Sequence, residues 1–273
     1  MDFINRAFTT LFDYILAPFD LLPPFWALTL FSAVIGIIFL LMYGKVSNQA
    51  GLKNVKRQIY SYVLESILFK NDLRLSLKAQ GKMFVGGLRY FSLAFPPIII
   101  LAIPCILILA QLNLRYSHRP LQAGEHAIVK VTLNSDTSLF ETNLTASEGA
   151  TLTPPLRDLN DDSISWRVGV PTTATKVPLM TLSVSETSFQ KPLLVNTSTT
   201  KIPTEASTSW WWQFFYPGDS IPESLKDLVS AITITYPEQD LSIAGTTFNW
   251  LLVFAVVSIV AGLVGSKYLK VEI

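Results

Sequence analysis

Three long apolar runs separate stretches of the chain that are richer in polar residues. They occupy residues 24–43, 91–112 and 248–266, and none of them contains a charged side chain. Each run has about 20 residues, and at 1.5 Å per residue a helix of that length crosses the roughly 30 Å hydrocarbon core of a bilayer. We therefore predict three transmembrane helices.

The segment before the first run, residues 1–23, has apolar residues at the three- and four-residue spacing of an amphipathic helix. Pro23 and Pro24 break this pattern immediately before the first span. A short helix of this kind lies most simply in the membrane interface. The alternative is a helix that packs on the domain following the second span.

Residues 44–90, between the first two runs, carry two apolar stripes at helical spacing. The first comprises Leu52, Val55, Ile59, Tyr62, Val63 and Ile67, and the second comprises Leu73, Leu77, Phe84 and Leu88. The intervening Lys70–Asp72 is typical of a turn. We predict two antiparallel helices that bury the stripes against each other as a short coiled coil.

Residues 113–247 contain alternating or β-branched segments, separated by clusters of Asn, Asp, Pro and Gly. The candidate strands are His126–Leu133, Ser163–Val170, Val177–Val184 and Ala231–Tyr236, and Leu225–Val229 is a candidate short helix. This pattern predicts a small antiparallel domain that resembles a β-sandwich.

One short segment of this domain is crowded with aromatic residues. They are Trp210, Trp211, Trp212, Phe214, Phe215 and Tyr216. Because Trp and Tyr favour membrane interfaces, we expect the segment to meet the outer headgroup layer or a partner protein. The alternative is an aromatic plug in the domain core.

The distribution of charge predicts an orientation. Residues 44–90 have nine basic and two acidic side chains, whereas residues 113–247 have nine basic and fourteen acidic ones. Lys and Arg accumulate on the cytoplasmic side of membrane proteins. We therefore expect the N-terminus and the β-rich domain to lie outside, and the hairpin and the C-terminus to lie in the cytoplasm.

The predicted fold class is an α-helical membrane protein with three transmembrane helices, a cytoplasmic helical hairpin and an extracytoplasmic β-sandwich-like domain. Its predicted parts are an outer interfacial amphipathic helix (1–23), transmembrane helix 1 (24–43), the basic hairpin (44–90), transmembrane helix 2 (91–112), the β-rich domain (113–247), transmembrane helix 3 (248–266) and a cytoplasmic tail (267–273). The single cysteine, Cys105, excludes an intramolecular disulfide. A disulfide-free outer domain and this charge bias suit a bacterial inner membrane.

Motifs for catalysis, cofactors or metals are absent from the sequence. The two histidines, His118 and His126, are eight residues apart with no cysteine nearby, which does not match the spacing of a metal site. We expect no enzymatic activity, cofactor or metal. The spans also lack Asp, Glu, Lys, Arg and His, which argues against an ion-coupled transporter.

Two local patterns and the order of the parts resemble a known family. Leu88-Arg89-Tyr90 precedes a proline-bearing span with Pro96-Pro97 and Pro104, and Trp250 opens a last helix that closes on a short basic tail. In this order the chain resembles the YidC/Oxa insertase superfamily, in particular its three-span branch of archaeal YidC-like proteins and endoplasmic reticulum insertase subunits. Unlike many bacterial members, it has no arginine in spans one and three, and its β-rich domain lies between spans two and three.

The resemblance implies a membrane-protein insertase or intramembrane chaperone. Its substrate groove would be lined by Ser32, Ser92, Ser258 and Gln111. Its cytoplasmic recruitment surface would comprise Lys56, Arg57, Arg74, Lys78, Lys82 and Arg89. The partners implied are the lipid bilayer, nascent membrane proteins and the ribosome, with no specific nucleic-acid sequence.

Two alternatives remain open. The basic residues of the hairpin also fit a solvated face that serves only as a topology signal. The whole chain also fits a non-catalytic envelope scaffold, anchored by its spans, that binds an envelope protein through the aromatic segment of the outer domain.

Overall fold

The computed structural model describes residues 2–19, 21–134, 137–147, 150–171, 178–185, 187–196, 201–209, 212, 221–243 and 245–272, with side chains from Thr9 onward. The chain forms two compact units. One comprises Met1–Asp20 and Ile106–Ser242, and the other comprises Leu21–Cys105 and Ile243–Ile273. We call them the β unit and the helical unit.

The described residues form five α-helices. They are α1 (Asp2–Leu16, followed by a 3-10 turn at Ala17–Phe19), α2 (Pro24–Val46), α3 (Gln49–Leu68), α4 (Leu73–Tyr116) and α5 (Trp250–Leu269). Among the described residues, α2, α4 and α5 are long and apolar enough to cross a membrane. The prediction of three candidate spans is therefore confirmed.

In the helical unit, α2 and α5 pack unusually closely. A Cβ atom added at Gly36 of α2 would lie 2.3 Å from the backbone oxygen of Ser258 in α5. Gly262 and Gly265 of α5 continue the contact toward the backbone of Gly36 and the side chain of Leu40. Small residues let the backbones of two apolar helices approach in this way.

The helices α3 and α4 form the predicted hairpin, with a turn between Leu68 and Leu73. Asn48 caps α3 by accepting a hydrogen bond of 2.9 Å from the backbone N–H of Gly51. The predicted first stripe faces inward at its start, because Leu52 and Val55 are buried. The side chain of Ile67, at its other end, is exposed.

The predicted second stripe does not face α3. Leu73, Leu77, Phe84 and Leu88 are all exposed, with 56% to 75% of each residue accessible. The inner face of α4 instead carries small residues. Ala79 is fully buried, and a Cβ added at Gly86 would lie 2.9 Å from the Ile59 side chain. The predicted pairing of the two stripes is therefore wrong for α4, because its small residues make the closer contact with α3.

In the described part of the β unit, the strands within residues 126–235 form two antiparallel sheets. Its strands are β1 (His126–Leu133), β2 (Thr142–Ala146), β3 (Thr151–Leu152), β4 (Leu156–Asp158), β5 (Ser163–Gly169), β6 (Leu179–Val184), β7 (Thr187–Pro192), β8 (Glu205–Ser207) and β9 (Val229–Thr235), while β10 (Leu241–Ile243) and β11 (Thr246–Phe248) follow. One sheet has the order β3-β5-β1-β9-β8 with β4 also paired to β5, and the other has the order β2-β6-β7.

Both sheets contribute to one hydrophobic core. Val129 of β1 lies opposite Trp166 of β5 and Ile234 of β9, and all three are buried with Leu144 and Leu182 of the other sheet. Alternate residues along β1 point inward, as the alternation in its sequence predicts. The arrangement is that of two sheets packed face to face.

Three candidate strands are found close to their predicted limits, and Val177 of the fourth lies outside the described residues. The candidate helix Leu225–Val229 is wrong. A 3-10 turn spans Glu223–Leu225, and Val229 begins β9. Leu225 and Val229 are both buried, and a four-residue spacing of apolar residues fits a turn leading into a strand as well as a helix.

Candidate functional site

The serines predicted to line a groove are bonded to their own helices. Ser32 is fully buried in α2, and its hydroxyl donates to the Leu28 carbonyl oxygen at 2.6 Å. The half-buried Ser258 donates to the Ala255 carbonyl oxygen at 3.1 Å. Because Ser32 has no accessible surface, it lines no open groove in this structure.

The other two predicted groove residues lie elsewhere. Ser92 is exposed on α4, and its hydroxyl donates to the Arg89 carbonyl oxygen at 2.9 Å. Gln111 belongs to the β unit, where it is buried and its amide donates to the Thr9 hydroxyl at 3.3 Å. The four polar residues thus do not gather in one lining.

Gln111 is part of a polar contact that holds α1 within the β unit. Asp13 of α1 accepts hydrogen bonds from the buried Arg115 of α4 and from Lys201. Burial alone raises the pKa of Asp13, but the hydrogen bonds from Lys201 and Arg115 outweigh it and hold the pKa below its ordinary value. These contacts favour the second interpretation of the leader, a helix packed on the β domain.

A second charged contact lies where the β domain begins. Arg119 donates two hydrogen bonds to Glu125, at 2.7 and 2.9 Å. With a further bond from the backbone N–H of Gln122, they lower the pKa of Glu125 to about 2. Burial lowers the pKa of the neighbouring His118. Arg119 and Glu125 satisfy each other, and the described residues hold no cluster of three or more metal-ligating side chains.

The predicted basic residues of the hairpin fall into two groups. Lys56 bonds to Glu272 at 3.2 Å, and Lys82 bonds to Glu65 at 3.1 Å while lying over the Tyr62 ring. The others, Arg57, Arg74, Lys78 and Arg89, are exposed. Within the described part of the chain, no carboxylate lies at ion-pair distance from these four.

Most of the predicted aromatic contact lies outside the described residues, namely Trp210, Trp211, Phe214, Phe215 and Tyr216. Trp212 is described and is 48% exposed. Among the described residues, the core of the β unit includes Trp166 and Tyr236.

The helix α4 exposes a row of large apolar side chains. We define the α4 stripe as Leu73, Leu77, Phe84, Leu88, Phe91 and Phe95, all of which are exposed. Their spacing puts them on one face of the helix. Phe91 and Phe95 stack with ring centroids 5.1 Å apart. The stripe therefore runs without a change of face from the hairpin turn into the second candidate span.

A band of positively charged side chains lies beside the α4 stripe. Arg74, Lys78 and Arg89 occupy a face about a third of a turn away from it, at 100° per residue. The inner face, with Ala79 and Gly86, lies on the opposite side. We call these three cations the α4 basic band. The helix thus divides into a packed face, an apolar face and a basic face.

The sequence pattern predicted four residues of the α4 stripe, Leu73, Leu77, Phe84 and Leu88, but we assigned them to the interior of the hairpin. The signal for the true inner face was the small residues Ser76, Ala79 and Gly86, which recur at helical spacing. Small residues on one face of a helix indicate close packing, and large apolar residues on another face then remain exposed.

Comparison of the chain with protein-family models, with curated proteins and with solved structures finds no match. The fold and its surfaces are therefore the basis on which a function is proposed.

Proposed function

We propose that this protein is a membrane-protein insertase or intramembrane chaperone, in which the α4 stripe receives apolar helical segments of other membrane proteins. The β domain lies outside, and the α3–α4 hairpin lies in the cytoplasm. The charge bias supports this orientation, because nine basic and two acidic residues fall in residues 44–90.

The main observation that supports this proposal is the exposure of the α4 stripe. A soluble surface rarely keeps a row of large apolar side chains in water, and such rows mark binding sites for proteins or membranes. From Leu73 to Leu88, ahead of the candidate span, the stripe covers about 23 Å of helix, and Phe91 and Phe95 continue it into the span. The part ahead of the span is therefore long enough to contact about four turns of a client helix.

The physical role of the stripe is to replace water around an apolar client helix. Burying a Leu or Phe side chain stabilises by about 1.5–3 kcal/mol, so a few contacts suffice to hold a client transiently. Because the same face of α4 continues into the span at Phe91 and Phe95, the client can move toward the bilayer without exposing its apolar face.

The α2–α5 pair then serves as an anchor. The contact between these two helices, which we call the α2–α5 seam, is closed at Gly36. The hydroxyls of Ser32 and Ser258 are already bonded within their own helices. A polar route through this seam is therefore not part of the proposal. The client approaches the second span from its exposed side, where Ser92 lies at the base of the hairpin.

Site-specific photocrosslinking in cells tests the proposal. Probes replace Phe84 and Leu88 on the α4 stripe, and the matched control replaces Gln58, an exposed residue of α3. We expect the stripe probes to capture pulse-labelled, ribosome-bound membrane proteins that disappear during the chase. Equal capture at Gln58, or capture of lipid alone at all three positions, would contradict an insertase or chaperone.

The closed α2–α5 seam also favours a second candidate, the envelope scaffold. A scaffold needs its spans only as an anchor, and a tight pair of apolar helices meets that need. A probe at Trp212 separates the two candidates. One stable protein captured there, with no short-lived client at Phe84, would favour the scaffold.

A further inference from the structure

We infer that the α4 basic band makes the hairpin selective for apolar helices that carry acidic residues along one flank. This inference rests on the proposed function and names the class of client. It depends on the charge of Arg74, Lys78 and Arg89, on their position beside the α4 stripe, and on the open space around neighbouring glycines.

The three cations of the band differ from two other basic residues of the hairpin, Lys56 and Lys82. Lys56 and Lys82 have carboxylate partners in Glu272 and Glu65. In the described ranges, the band residues have none, although each is exposed. Their charge is therefore available to a partner that lies on the α4 stripe.

The charge is on one side of the stripe only. At 100° per residue, Gln80 and Gly87 lie along the opposite flank, and neither is charged. A helix lying on the stripe therefore meets cations along one edge and uncharged residues along the other. Acidic residues on the matching edge are favoured, and basic residues there are repelled.

Two glycines make room for a helix rather than for isolated side chains. A Cβ added at Gly81 or Gly87 would meet no atom within 4 Å, so neither glycine is needed for packing within the hairpin. A glycine inside an exposed helix costs about 1 kcal/mol relative to alanine. Small residues beside an apolar stripe allow the backbone of a second helix to come close.

The geometry of α4 favours a polypeptide over a lipid surface as the occupant. The helix is continuous from Leu73 to Tyr116, about 66 Å at 1.5 Å per residue. A bilayer core takes up only roughly 30 Å of that length. The end of the helix near Arg74 and Lys78 therefore projects well beyond the headgroups, where an apolar stripe is covered by protein.

Binding of designed peptides to the full chain tests this inference. The protein is placed in nanodiscs of neutral lipid, and fluorescent apolar helices of about 22 residues carry three Glu, Gln or Lys residues along one flank. We expect Glu peptides to bind about tenfold more tightly than Gln peptides at low salt, with Lys peptides weakest. High salt should reduce the difference, because the charges are exposed.

Two sets of variants locate the effect. Arg74→Gln, Lys78→Gln and Arg89→Gln together should make the three peptides bind equally. The matched control, Lys45→Gln, Lys53→Gln and Lys70→Gln, removes three exposed cations elsewhere in residues 44–90 and should preserve the preference. Gly81→Ala and Gly87→Ala should weaken binding of every peptide, although they raise helix stability.

The outcomes distinguish this inference from the proposed function. If Leu77→Ser, Phe84→Ser and Leu88→Ser abolish binding but the flank charge has no effect, the inference falls and the proposed function stands. If these stripe variants bind as the wild type does, the proposed function falls. If the control triple variant loses the preference for Glu peptides to the same extent, the α4 basic band is not the source of the selectivity and the inference is overturned. Self-association through the stripe, seen as dimers by mass photometry and lost in the stripe variants, also overturns it.

Discussion

The helical unit contains two helix pairs that both bury small residues but differ in the polarity of their other faces. The α2–α5 pair consists of helices that are apolar on every side, and it closes through Gly36, Gly262 and Gly265. The α3–α4 pair consists of amphipathic helices, yet α4 turns its small residues inward and its large apolar residues outward. The comparison indicates that contact shape, more than hydrophobicity, selects the buried face in both pairs.

The difference matters for the proposed function. If α2 and α5 cross a membrane as proposed, their exposed side chains meet hydrocarbon, in which apolar surface costs little. In the part of α4 that precedes the candidate span, the same type of side chain would meet water, which favours a partner. Under the proposed function, the first pair is therefore an anchor and the second presents a binding surface.

The largest effect is expected at the α2–α5 seam. Gly36→Ala places its Cβ 2.3 Å from the Ser258 backbone oxygen, and backbone cannot move aside as a flexible side chain can. We expect a loss of about 3 kcal/mol in the free energy of unfolding, measured by circular dichroism during SDS titration. Gly262→Ala is the matched control, since its nearest neighbour is 3.7 Å away. Equal effects of the two variants would contradict the seam.

A smaller effect is expected at the hairpin, where two substitutions distinguish its faces. Ala79→Leu enlarges a fully buried residue and should destabilise by about 2 kcal/mol. Phe84→Ser alters an exposed residue and should change stability by less than about 0.5 kcal/mol. Thermal unfolding of the two variants measures both values. The reverse order would mean that the stripe faces α3 after all.

The next largest effect on stability is expected at the start of the hairpin. Asn48→Ala removes the hydrogen bond to the N–H of Gly51 and should cost about 1 kcal/mol. Hydrogen exchange of the amides in the first turns of α3 measures this loss locally. The control is Asn54→Ala, an exposed position inside the same helix, where alanine should be neutral or stabilising. Faster exchange in both variants would argue against a capping role.

The smallest effect is expected at the ion pair between the hairpin helices. Glu65 and Lys82 are partly exposed, so Glu65→Gln should cost about 0.5 kcal/mol and less at high salt. A double-mutant cycle with Lys82→Met isolates the pair from the contact of Lys82 with the Tyr62 ring. A coupling energy that does not change with salt would speak against an electrostatic contribution.

Local patterns were sufficient for the positions of the main elements. Pro24 begins α2, as the proline pair predicts, and the turn between Leu68 and Leu73 contains the predicted Lys70–Asp72. β1 has its predicted limits because inward and outward residues alternate along it. The candidate site was predicted less well, since Ser32 is buried and Gln111 belongs to the β unit.

The sequence by itself determined the three apolar spans, the asymmetry of charge and the β-rich nature of residues 113–247. Each of these properties is a count of residues or a repeating pattern within one continuous segment, so the local sequence is enough to determine it. Only the tertiary structure decided that Asp13 binds Arg115 and Lys201, and that Ala79 rather than Leu77 faces α3. Those outcomes depend on the shape and charge of an element distant in sequence, because close packing rewards complementary surfaces and not hydrophobicity alone.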